Sequence, residues 1–122
     1  MHIYSKDQVS SPLVSDHGEV IYELVGRNFA EKTEKHSVAH VLIPPGKSSL
    51  LHYHPIAEES YYILKGEARI RVGEQESRIS PGQIILIPPG KAHKIVNAAE
   101  VDLEFLTICV PAWEPGNTEF LE

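Results

Sequence analysis

Residues 46–66 read Gly46-Lys-Ser-Ser-Leu-Leu-His52-Tyr-His54-Pro-Ile-Ala-Glu-Glu59-Ser-Tyr-Tyr-Ile-Leu-Lys-Gly66. Successive side chains of a strand point to opposite faces, so His52 and His54 set two imidazoles on one side of a sheet. Pro55 favours a bend, and the apolar run after it sets Glu59, Tyr61 and Ile63 on one face of a second strand. A carboxylate then returns from the neighbouring strand to the point where the two ring nitrogens meet. Glu58, Tyr53 and Tyr62 have the opposite parity and are expected to face away.

Residues 82–97, Gly82-Gln-Ile-Ile-Leu-Ile-Pro88-Pro-Gly90-Lys-Ala-His93-Lys-Ile-Val-Asn97, add a third imidazole. Residues 83–87 read as an apolar strand and Pro88-Pro89-Gly90 as a turn. His93 opens the next strand with Ile95 and Asn97 on its own face. Three imidazoles and a carboxylate suit Mn, Fe, Co, Ni, Cu or Zn better than the all-oxygen shells of Ca or Mg. Without an ion or ordered water, such a set buries three basic rings and an acid around a polar void, which is costly.

Here the chain resembles the cupins. Their first motif, G-x5-H-x-H-x(3 or 4)-E-x6-G, is matched by Gly46, His52, His54, Glu59 and Gly66. The second, G-x5-P-x-G-x2-H-x3-N, is matched by Gly82, Pro88, Gly90, His93 and Asn97. The fixed interval to Gly66 selects Glu59 over Glu58. The resemblance implies an all-β fold, a double-stranded β-helix or jelly-roll barrel, with a divalent transition metal held by His52, His54, Glu59 and His93. The short segment between the motifs implies a minimal bacterial-type barrel, akin to the phosphomannose isomerase barrel, with a fairly open mouth.

The chain has 122 residues, room for one domain over 1–122 with an N-terminal arm at 1–18 and a tail at 111–122. A net charge of −6 argues against nucleic acid or an anionic membrane surface as partner, since both need a basic patch. The N-terminus lacks the apolar run of a signal peptide, and no stretch has the length of a transmembrane helix, so a cytoplasmic location is expected. One cysteine, Cys109, excludes an internal disulfide and reads as a small buried hydrophobe.

Strands are expected at 20–25, 36–43 and 101–110, with a hairpin of 67–72 and 76–79 around Gly73. Residues 28–35 read as a polar connection with a helical turn. Residues 1–18 read as an irregular arm carrying a short strand, and Trp113 as a cap on the barrel or on a subunit interface. His2, His17 and His36 are expected at the surface. His40 is either a histidine satisfied by the backbone or, if its strand face is the inner one, a substrate contact.

An octahedral ion with four protein ligands keeps two positions for water or a small molecule. Tyr61, two residues after Glu59 on the same face, is the candidate catalytic base, because a metal-bound phenol can ionise near neutral pH. His40 and Asn97 are the candidate substrate contacts. The family includes phosphosugar isomerases, dioxygenases, oxalate-degrading enzymes, lyases and sugar-binding proteins, so fold does not select a reaction. The expectation is a metal-dependent isomerase, lyase or dioxygenase acting on a small polar metabolite, a sugar or organic acid. The alternatives are a protein that binds such a ligand without turnover, and a purely structural metal. No lysine or arginine falls on the inner parity of the motif strands, which weighs against phosphosugars. Apolar residues on both faces of 38–43 and 103–110 predict a homodimer.

Overall fold

The computed structural model describes residues 1–28 and 31–122. Eleven strands are present among them: β1 (Leu13–Val14), β2 (Val20–Val25), β3 (Ser37–Ile43), β4 (His52–Tyr53), β5 (Glu58–Lys65), β6 (Ala68–Val72), β7 (Gln75–Ile79), β8 (Ile84–Ile87), β9 (His93–Asn97), β10 (Leu103–Val110) and β11 (Glu119–Phe120). They form a six-stranded sheet ordered β1-β2-β3-β10-β5-β8 and a five-stranded sheet ordered β11-β4-β9-β6-β7. All the pairings between them are antiparallel. The architecture is the expected all-β double-stranded β-helix. The connection at 28–35 includes residues 29 and 30, outside the described residues; of the rest, Lys32 bridges Gly26 and no helical turn is present.

Period-two burial is clearest in β3 and β9. Ser37, Ala39, Val41 and Ile43 are buried in β3, and His93, Ile95 and Asn97 in β9. The core packed between the sheets contains Val41, Ile43, Ile63, Ile70, Ile87, Ile95, Leu103 and Phe105. Each such side chain removed from water contributes about 1.5–3 kcal/mol. Along β5 the buried face passes from Glu59 through Tyr61 to Ile63, so one strand links the polar cluster to the apolar core.

The motif glycines and prolines hold the backbone in place. Gly66 has φ +82°, and a Cβ there would lie 2.7 Å from the carbonyl oxygen of Asp102, so the turn into β6 accepts no side chain. The Gly90 amide donates to the His54 carbonyl at 2.8 Å, tying the turn before His93 to the strand that carries the other two histidines. No helix of the described residues is long and apolar enough to cross a membrane.

Candidate metal centre

His52 and His93 are cross-strand partners on β4 and β9, with ring centroids 4.2 Å apart. His54 lies just past the end of β4, and Glu59 enters from β5 in the other sheet. The ligand atoms of His52, His54, Glu59 and His93 all lie within 4.8 Å of one another. His54, Glu59 and His93 are buried and His52 is partly exposed, so the cluster is reached from one side.

The hydrogen bonds around the cluster set its chemistry. Nδ1 of His52 lies 2.7 Å from the Leu50 carbonyl, that of His54 3.0 Å from the Asn117 carbonyl, and that of His93 2.9 Å from the Lys91 carbonyl. A carbonyl only accepts, so each Nδ1 carries the proton and each Nε2 is left with a lone pair. Two of those Nε2 atoms face Glu59 Oε1, at 3.3 Å from His54 and 3.1 Å from His93. Lone pairs facing a carboxylate need a cation between them, either a second proton on the ring or a metal ion. Backbone carbonyls that fix the outer ring nitrogens are the usual support of a histidine metal site. The donor set therefore fits a divalent transition ion.

The electrostatics of the metal-free cluster agree. Burial alone would raise the Glu59 carboxyl, but the imidazoles of His54 and His93 outweigh it and hold the acid well below its ordinary range. Burial pushes His52 down to about 4, helped by the charge of His93. Burial also acts against His54, yet the Glu59 carboxylate raises it on balance.

Several side chains sit other than expected. His40 points to the outer face of the six-stranded sheet, where its Nε2 lies 2.9 Å from Glu104 Oε1, so it does not reach the cavity. Asn97 is buried but spent on the backbone: its Nδ2 donates to the Ile43 and Val101 carbonyls at 2.8 Å each, and its Oδ1 accepts from the Ala99 amide. It shapes a turn and has no free group for a substrate. Cys109 is more than a small hydrophobe, because β10 pairs it with Glu59 and its thiol donates to Oε2 at 2.8 Å. Burial, reinforced by the Glu59 charge, keeps that thiol protonated. Tyr61 stands beside His93, ring centroids 5.9 Å apart, and burial and the Glu59 charge push its phenol far up. In the metal-free protein it keeps its proton and hydrogen-bonds Glu59.

The cluster opens into a cavity of about 500 Å³. Its walls include residues that parity did not single out: His17 and Glu19 near the start of β2, Glu23 on β2, and Trp113 and Thr118 from the tail. His17 is half-buried there, not a plain surface residue. Trp113 is half-buried and lines the cavity. The arm also contributes, through Val9, Pro12 and Leu13, so the mouth is flanked by the chain's own N-terminus. Ile21 and Glu23 share one face of β2, the Ile21↔Val41 and Glu23↔Ala39 pairings show that this face turns inward, and Glu19, just before β2, lines the same cavity. The Ser15 hydroxyl accepts from the His17 and Glu19 amides and fastens the turn before β2.

Residues 39–109 match the model of the cupin domain family, a segment that contains all four donors. The chain is a cupin. It is 36% identical over 111 residues to an uncharacterized protein (MJ1618) of Methanocaldococcus jannaschii, covering 91% of this chain and 88% of that one. It is also 36% identical over 72 residues to an oxalate-binding protein of Thermotoga maritima, which covers 59% of this cupin and 60% of that protein. Among solved structures, one described as a predicted oxalate decarboxylase from Thermotoga maritima matches this cupin with a TM-score of 0.77 at 25% identity, over 90% of this chain and 99% of that one.

Proposed function

We propose that this cupin holds a divalent transition metal at His52, His54, Glu59 and His93 and uses it to bind a small molecule inside the barrel, for isomerase, lyase or dioxygenase chemistry. The observation that carries the reading is the orientation of the rings: three Nδ1 atoms are directed outward to carbonyls, two Nε2 atoms face one carboxylate, and the ligand atoms of all four residues lie within 4.8 Å of one another. The oxalate-binding relative supports a ligand that chelates through oxygen. A bound ion supplies Lewis-acid polarisation of such an oxygen. The protein's own groups act around it: Cys109 holds Glu59 by a hydrogen bond, and Tyr61, kept protonated by burial, hydrogen-bonds the same carboxylate from the inner wall. Tyr61 thus serves as a hydrogen-bond donor in preference to the base that its position first suggests.

The test is elemental analysis of protein purified without added metal. One equivalent of a first-row ion is expected in the wild type and less than a tenth of that in His54→Ala; equal metal in both rejects the site. We further propose that two copies pair through the outer face of β5 and β8, where Tyr62, Leu64, Ile84 and Leu86 are exposed.

A further inference from the structure

The walls of the cavity restrict what the metal site can receive. Apolar side chains dominate them, among them Ile21, Val41, Leu50, Phe105, Trp113 and Phe120, and no lysine or arginine lines the cavity among the described residues. Outside the four-residue cluster the one basic side chain is His17, whose imidazole already interacts with the carboxylate of Glu122. The acidic side is better supplied. Besides Glu59, the inward face of β2 brings in Glu23, and the residue just before β2, Glu19, lines the same cavity. Neither carboxylate has an ion pair with a described lysine or arginine, although Glu23 Oε2 accepts from the Asn28 amide at 2.9 Å. Glu59 and Glu23 together match the two positive charges of a divalent ion and Glu19 adds a further negative charge above pH 7, so a second anionic group on a ligand finds no cation on the wall.

We infer that the cavity selects a ligand with an apolar, uncharged or cationic body and a single metal-chelating end, and that Glu19 and Glu23 reject ligands whose bodies are anionic. The inference rests on the metal-binding reading above and narrows its ligand class away from sugar phosphates and from polycarboxylates that carry an anionic group beyond the chelating end. The position of Glu19 agrees, since burial, aided by the charge of Glu59, raises its carboxyl to about 7, as expected where no cation compensates it. A cationic group on the ligand would supply what the wall lacks. The apolar stretch from Ile21 to Phe105 would cover the rest of the body.

The experiment uses the full chain loaded with zinc, a redox-silent ion, at pH 8, where Glu19 is ionised, and three benzohydroxamates with a methyl, aminomethyl or carboxylate group para to the chelating end. Calorimetry reads affinity, and the fluorescence of Trp113, the chain's only tryptophan, reports occupancy of the cavity. The methyl and aminomethyl compounds are expected to bind at least about tenfold more tightly than the carboxylate, the effect of one repulsive charge at partly screened range. In Glu19→Gln with Glu23→Gln, two isosteric changes, that gap should fall to less than threefold. Equal affinities for the three compounds in the wild type, or tightest binding of the carboxylate, would overturn the inference and leave the metal site standing. Zinc uptake is measured first; its failure rejects the metal reading, and the ligand inference with it. A gap unchanged in the double variant overturns the role given to Glu19 and Glu23.

Discussion

Each inner ring nitrogen of the cluster is set by a bond made on its outer side, and Glu59 is set the same way by Cys109. The thiol is the partner of Oε2, leaving Oε1 to the histidines. In Cys109→Ala the carboxylate loses that donor and gains freedom to rotate, so metal affinity should fall about 10–100-fold, as for other supporting groups of metal sites. Cys109→Ser, which keeps a donor, should lose much less; metal titration against a competing chelator measures both. Glu19 gives a second test at this scale. Its carboxyl is raised in the folded state from the ordinary 4.5 to about 7, first by burial and then by Glu59, while Ser15 opposes. The unfolded chain therefore releases this proton at lower pH than the folded one, and stability falls as pH rises from about 4.5 to 7 and stays reduced above. In chelator-treated protein Glu19→Gln should leave the melting temperature unchanged near pH 4 and raise it by a few degrees at pH 8. An equal shift at both pH values would remove the electrostatic explanation.

At the level of strands, the sequence was legible where one face is polar at a marked position. His52, His54, Glu59 and His93 lie at alternating or turn-fixed offsets, and β4, β5, β8 and β9 formed with that parity. Parity failed where both faces carry apolar residues. In β3 it could not say which side holds His40, and the answer came from a diagonal neighbour on β10, Glu104, that local spacing does not reveal. In β2 the Glu19, Ile21, Glu23 face looked no more internal than the Val20, Tyr22, Leu24 face. The chain ends were the least readable, because their positions depend on closure of the whole barrel. The tail returns along β4 as β11, and the turn Pro115–Asn117 brings a carbonyl to His54. Two truncations separate those roles. Ending the chain after Thr118 removes β11 but keeps the Asn117 carbonyl, and should lower stability while metal affinity changes less than threefold. Ending it after Glu114 also removes the acceptor of the His54 Nδ1 proton, and metal affinity should drop about tenfold or more. Equal affinities in the two shortened chains would show that the tail does not orient His54.

Across the whole molecule the two faces of the six-stranded sheet differ in what covers them. The inner face packs on the other sheet, whereas the outer face carries partly exposed apolar side chains from β3 and β10 and leaves Ile84 62% and Leu86 57% exposed on β8 at the edge. Tyr62 on β5 pairs across from Ile84, and Leu64 continues the same parity, so these side chains form one patch and not scattered points. A contiguous apolar patch on an edge strand invites a partner, and a second copy related by a twofold axis presents the same patch in return. Sedimentation equilibrium at micromolar concentration should therefore give twice the chain mass of 13.6 kDa. Replacing Ile84 and Leu86 each with Lys puts two like charges on the side of β8 opposite buried Ile87, which packs in the core. The core should survive, and with it the metal content, because Glu59 pairs with Ile87 and not with the altered side chains. Association, in contrast, should weaken by a hundredfold or more, since burying unpaired charges costs about 3 kcal/mol or more. A monomeric wild type would remove the dimer, and a double variant that stays dimeric would move the interface to another face of the sheet.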